Sequence, residues 1–124
     1  MEEQLKLALE DEDLTTEEER ILRFIIGRPR AQAIKIRDLA ARLGMNERAM
    51  RQVINLLRIM GYPIGSSSNQ PAGYFEIRTL EELEETCRMF KRRALDELYV
   101  CSRLRKCSLP ELLHQLKLEI EEKE

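Results

Sequence analysis

Tryptophan is missing from this chain, aromatic residues make up 5% of it, and there is a single histidine. That composition argues against a β-sandwich and favours a mostly helical protein. No apolar run approaches the ~18 residues of a membrane span. The opening MEEQ is acidic where a secretion signal would be basic, so a cytoplasmic chain is expected. Cysteines number three, Cys87, Cys101 and Cys107, with no CxxC spacing. One histidine cannot complete a zinc site with them, so they read as reduced thiols, and neither metal nor cofactor is expected. Catalytic patterns are lacking as well. The serines at 66–68 have no nucleophile-elbow context, Gly65 and Gly73 do not form a GxGxxG loop, and Glu81, Glu82, Glu84 and Glu85 read as helix-start charges. His114, beside Leu113, reads as a surface or dimer-contact residue. No enzyme is expected.

What the chain does carry is concentrated in 36–77, IRDLAARLGMNERAMRQVINLLRIMGYPIGSSSNQPAGYFEI. Leu39, Ala40 and Leu43 share one side of a short helix that should stop at Gly44, since glycine tolerates the left-handed ending conformation. Gly44, Met45 and Asn46 make a turn, and Asn46 is a good N-cap for a second helix. In that helix Ala49, Met50, Val53, Ile54, Leu56, Leu57 and Met60 form a broad apolar side. Arg48, Arg51, Gln52 and Asn55 fall at i, i+3, i+4 and i+7 opposite it. A core has no use for that polar row, whereas a DNA major groove does: Arg pairs with guanine edges, and Asn and Gln with adenine edges. A two-stranded hairpin with a polar tip at 65–73 follows. The layout is a helix-turn-helix with a wing.

Charge is strongly segregated although the whole chain carries only −2. Residues 1–19 carry nine acids and one base, residues 20–60 ten bases and two acids, and the tail from Ser108 five acids and two bases. Such asymmetry points to nucleic acid more than the mild net charge points away from it. Arg28, Arg30, Lys35, Arg37 and Arg42 are expected along the phosphate backbone. The wing tip lacks Arg and Lys, so Ser66, Ser67, Ser68 and Asn69 would reach phosphate through neutral hydrogen bonds. The alternative is that an Arg- and Glu-rich surface only keeps the protein in solution.

The flanks complete the organisation. Residues 1–13 form an acidic extension. Thr16 begins a T-x-x-E capping box with Glu19, opening a helix to about Ile26 that buries Ile21, Leu22, Ile25 and Ile26. A short extended piece is expected at 33–36, of the kind that forms the third strand of the wing sheet in winged helices, with Phe75 and Ile77 on the core and Tyr74 and Glu76 facing away. Thr79 and Glu82 form a second box before a long helix to about Lys106, striped by Leu80, Leu83, Cys87, Phe90, Ala94, Leu98 and Cys101. Ser108 and Glu111 form a third, before a helix with Leu109, Leu112, Leu113, Leu116 and Ile120 on one face. That last helix either folds back on the long one or embraces a second subunit. A homodimer held through Leu98, Cys101 and the Leu109–Ile120 face is the expectation.

The run LAARLGMNERAMRQVINLLRIMGYPI resembles the winged-helix domains of DeoR-type regulators and of the biotin ligase/repressor, with their "LA..LGVS.R.V...I..LR..GY.I" pattern and a GYF returning from the wing. With EIRTLEELEETCRMFKRRALDELYVCSRLRK included, residues 34–106 more closely resemble small winged-helix proteins of bacterial prophages, which pair a GSSSN-type wing with a long helix. The implied fold is mainly α with a small β wing: a winged helix-turn-helix over 14–78 plus a long C-terminal helix and a shorter terminal helix over 79–124. The resemblance implies a double-stranded DNA-binding protein, a phage or prophage transcriptional regulator or a replication accessory factor. Winged helices also serve as protein-interaction adaptors, and that reading stays open here.

Overall fold

The computed structural model describes residues 14–123; the acidic extension expected at 1–13 lies outside them. Among the described residues there are five α-helices and one small sheet: α1 (Thr16–Ile25), α2 (Ile36–Leu43), α3 (Glu47–Ile59), β1 (Ile64–Ser67), β2 (Gly73–Glu76), α4 (Leu80–Leu104) and α5 (Leu109–Lys123). A single 3-10 turn, Arg30–Gln32, links α1 to α2. The protein is mainly helical with a two-stranded antiparallel hairpin.

The helix starts follow from side-chain acceptors that satisfy first-turn amides. Thr15, not Thr16, caps α1, its hydroxyl accepting from the Glu18 amide at 3.2 Å. Thr15 and Thr16 are each followed by a Glu three residues on, so the two registers are locally equivalent. Asn46 caps α3, Thr79 caps α4, and Ser108 caps α5 through the Glu111 amide. Arg78 donates its amide back to Glu82, so the second box is reciprocated one residue early.

The chain forms two compact units, dividing between Thr86 and Cys87. The division falls inside α4, just after Glu85 and Thr86, which hydrogen-bond to the hairpin. In the first unit, Ile21, Leu22 and Ile25 of α1, Leu39 and Ala40 of α2, and Met50, Ile54 and Leu57 of α3 close one core with Ile34, Tyr62 and Ile64. The apolar side of α3 is narrower than expected: Ala49 is exposed and Leu56 is 46% exposed.

The hairpin pairs Ile64 with Glu76, Gly65 with Phe75, Ser66 with Tyr74 and Ser67 with Gly73. This register reverses the expected faces. Ile64 and Tyr74 pack on the core, and Glu76 lies on that same face, 3% exposed, its carboxylate accepting from the Gly27 amide and Arg78 Nε. Phe75 lies on the other face and is also fully buried, beneath the Arg30 guanidinium at 5.1 Å. Both faces are covered, so alternation alone could not say which was inner. The third strand is reduced to one bridge, Ile34 with Tyr74, made by reciprocal backbone bonds of 3.0 and 2.8 Å.

In the second unit, the end of α4 turns into α5 through Lys106 at φ 56°, and the Cys107 amide donates to the Ser102 carbonyl. Ser102 and Leu112 are buried near this turn, while Leu98, Cys101, Cys107, Leu109 and Leu116 are half-buried. Phe90, Leu95, Tyr99, Val100, Leu104, Leu113, Leu118 and Ile120 are at least one-third exposed.

Candidate nucleic-acid interface

The polar row on α3 is set by what the helix buries. Gly44 takes φ 63°, the left-handed value that ends α2 and frees the chain to turn. Asn46 Oδ1 then accepts from the Arg48 and Ala49 amides at 2.8 and 3.2 Å, fixing the first turn of α3. Met50, Ile54 and Leu57 are wholly inaccessible, which fixes the rotation of the helix about its axis. Arg48, Arg51, Gln52 and Asn55 consequently all lie exposed on the opposite side. The row continues, however, into apolar residues: Ile59, eleven positions after Arg48, is 83% exposed.

The cations expected along phosphate separate into two groups. Lys35, Arg37 and Arg42 are exposed. Arg30 is spent inside the fold: its Nε donates to Glu85 Oε1 at 3.0 Å, Nη1 to the Pro71 carbonyl at 2.6 Å and Nη2 to the Asn69 carbonyl at 3.1 Å. Arg28 is intermediate, with Nη1 donating to the Gln32 carbonyl at 2.9 Å and its guanidinium 5.1 Å from the Phe24 ring centroid.

The hairpin donors divide likewise. Ser66 and Ser67 were expected to face outward, but each is 8% exposed. The Ser66 hydroxyl accepts from Arg58 Nη2 at 2.9 Å, and its amide donates to Thr86 Oγ1 at 3.2 Å. The Ser67 hydroxyl donates to Glu85 Oε2 at 3.0 Å and accepts from the Asn69 amide. Ser68 and Asn69 remain exposed, the Asn69 carbonyl holding Arg30.

Sequence reasoning missed Arg58, Glu85 and Thr86 as the groups that hold the hairpin in place. Arg58 Nε also donates to the Ile64 carbonyl at 2.9 Å, tying α3 to β1. A helix-terminal Arg and a run of acids carry no local mark of such partners. Of the residues expected at a dimer contact, Leu98, Cys101, Leu109, Leu112 and Leu116 are shielded wholly or partly in the single chain, whereas Leu113 and Ile120 are 36% and 51% exposed. Among the described residues, no group of three His, Cys, Asp or Glu side chains could hold a metal ion, and no helix is long and apolar enough to cross a membrane. Comparison with family models, curated proteins and solved structures finds no match to this chain.

Proposed function

We propose that the protein binds double-stranded DNA, with α3 in the major groove and the hairpin acting as a wing beside it. The observation that carries this reading is the solvent-facing set Arg48, Arg51, Gln52 and Asn55, held on a helix whose opposite side is locked into the core. These are side chains that read guanine and adenine edges in pairs of hydrogen bonds. Lys35, Arg37 and Arg42 supply the charge for backbone contacts, with Ser68 and Asn69 as the neutral wing donors. The role is that of a cytoplasmic phage or prophage regulator or replication accessory factor, acting as a homodimer on paired half-sites.

A second reading, a protein-binding adaptor, is favoured by one feature. Leu56 and Ile59 extend the exposed side of α3 with apolar surface, which a groove floor does not need and a protein partner would cover. Gel-shift selection from random-sequence duplexes separates the two readings. Enrichment of a defined sequence is the expected result, and retention of no duplex at low salt favours the adaptor.

A further inference from the structure

Beside α2 and the loop of the hairpin lies an open cleft of about 430 Å³, lined in part by Arg28, Lys35, Asp38, Arg42, Gln70 and Pro71. Three cations meet there against one carboxylate. None of the three forms an ion pair among the described residues, where the pairs are Arg23–Glu19, Arg30–Glu85 and Arg78–Glu76. Arg28 and Arg42 both lean on the Phe24 ring, at 5.1 and 5.7 Å from its centroid. A ring quadrupole attracts each guanidinium but neutralises neither. Arg28 Nε is buried with no hydrogen-bond partner among the described residues, so the wall of the cleft holds positive charge that the fold leaves uncompensated. The eight-residue α2 also starts here: Lys35 is its N-cap and supplies no side-chain acceptor, so its first-turn amides add positive potential.

We propose that this cleft is a phosphate site, taking the phosphate monoester of a small hydroxylated molecule. The formal charge of three cations and Asp38 is +2, which matches the roughly −1.5 to −2 of a phosphate monoester near neutral pH. The volume exceeds a bare phosphate and lies in the range of small-ligand pockets. Lys35 and Arg42, both at exposed positions, give charged donors and Arg28 adds positive charge to the wall, while Asp38 and Gln70 can accept hydrogen bonds from hydroxyls. No residue of α3 takes part, but Arg42 and Lys35 are shared with the proposed backbone contacts, so a DNA strand is the other possible source of the phosphate.

The test is titration of the full chain, followed by backbone NMR, with inorganic phosphate and with ribose 5-phosphate, against sulfate and chloride at equal ionic strength. Saturable binding of ribose 5-phosphate is expected, with the largest shifts at the amides of Ala33, Ala41 and Ala72, which line the cleft. Lys35→Gln and Arg42→Gln, both at exposed positions, should each weaken it by roughly tenfold or more, the loss of one charged hydrogen bond. The double variant Arg48→Ala/Arg51→Ala should bind ribose 5-phosphate unchanged while losing duplex, so failure of the DNA reading leaves this result standing. Displacement of ribose 5-phosphate by duplex assigns the phosphate to the strand, and simultaneous binding assigns it to a free small molecule. Absence of saturable binding, shifts elsewhere in wild type, or equal affinity in both Gln variants overturns the proposal.

Discussion

On the proposed DNA reading, Arg48 and Arg51 are the side chains to test first, being exposed and outside the core. Replacing either with Ala should lower specific DNA affinity by about 1–3 kcal/mol and relax preference at one base position. Thermal unfolding should stay where it was, and a matching fall in melting temperature would mean the residue acts through the fold. Gly73 shows the opposite kind of dependence. It holds φ +127°, and a Cβ there would lie 2.2 Å from the backbone carbonyl of Ile34. Gly73→Ala should therefore cost at least ~1–3 kcal/mol from backbone conformation alone and break the Ile34–Tyr74 bridge. Denaturant titration would register the loss, with a midpoint equal to wild type as the contrary outcome.

Among the elements, the hairpin is short and polar at its tip, and two four-residue strands do not hold together unaided. It is held from three sides: Arg58 from α3, Arg30 from the 3-10 turn, and Glu85 and Thr86 from α4. Arg30 and Glu85 have side-chain exposures of 19% and 28%, so water screens the pair less than it would a surface one. Glu85→Gln keeps the shape but weakens the charge-assisted bonds that Oε1 and Oε2 accept from Arg30 Nε and Nη2 at 3.0 and 3.4 Å. Faster hydrogen exchange at the hairpin amides is expected, with the amides at the centre of α3 unaffected, at a cost of roughly 1–2 kcal/mol. Equal protection in the variant would show that packing of Phe75 suffices to hold the hairpin. Because this contact joins hairpin and long helix, placement of the hairpin follows the first turns of α4.

For the whole molecule, charge and exposed apolar area set the expectations. Lys35, Arg37, Arg42, Arg48 and Arg51 are exposed, while Arg30 and Arg58 are engaged internally. Duplex affinity should fall with salt on a log–log slope of several units, about 0.9 per neutralised phosphate. A flat response would exclude a phosphate backbone as the partner. The second unit leaves Phe90, Leu95, Tyr99, Val100, Leu104, Leu113, Leu118 and Ile120 at least one-third exposed, side chains that a second copy of the chain would cover on the proposed dimer reading. Sedimentation at tens of micromolar is expected to give twice 14.6 kDa, and a species at 14.6 kDa itself would remove the paired half-site expectation.

Signals confined to one helical turn were legible without the fold. Asn46, Thr79 and Ser108 as caps, Gly44 as a stop, and the Met50–Ile54–Leu57 stripe all depend on residues within about four positions of one another, where backbone geometry alone dictates who meets whom. The rotation of α3, and with it the exposure of Arg48, Arg51, Gln52 and Asn55, comes from that local periodicity. Tertiary structure decided what local pattern leaves degenerate. Phe75 and Tyr74 are both apolar enough for a core face, and only the pairing register with covering on both sides put Tyr74 and Glu76 inward. Arg30 and Glu85 meet across a separation of 55 residues, and Ser66 and Thr86 across 20. A charged or hydroxyl side chain written in sequence looks the same whether it faces water or a distant partner. Folding brought those partners within 3.5 Å, turning Arg30, Ser66 and Ser67 from expected ligands of phosphate into the internal ties of the hairpin.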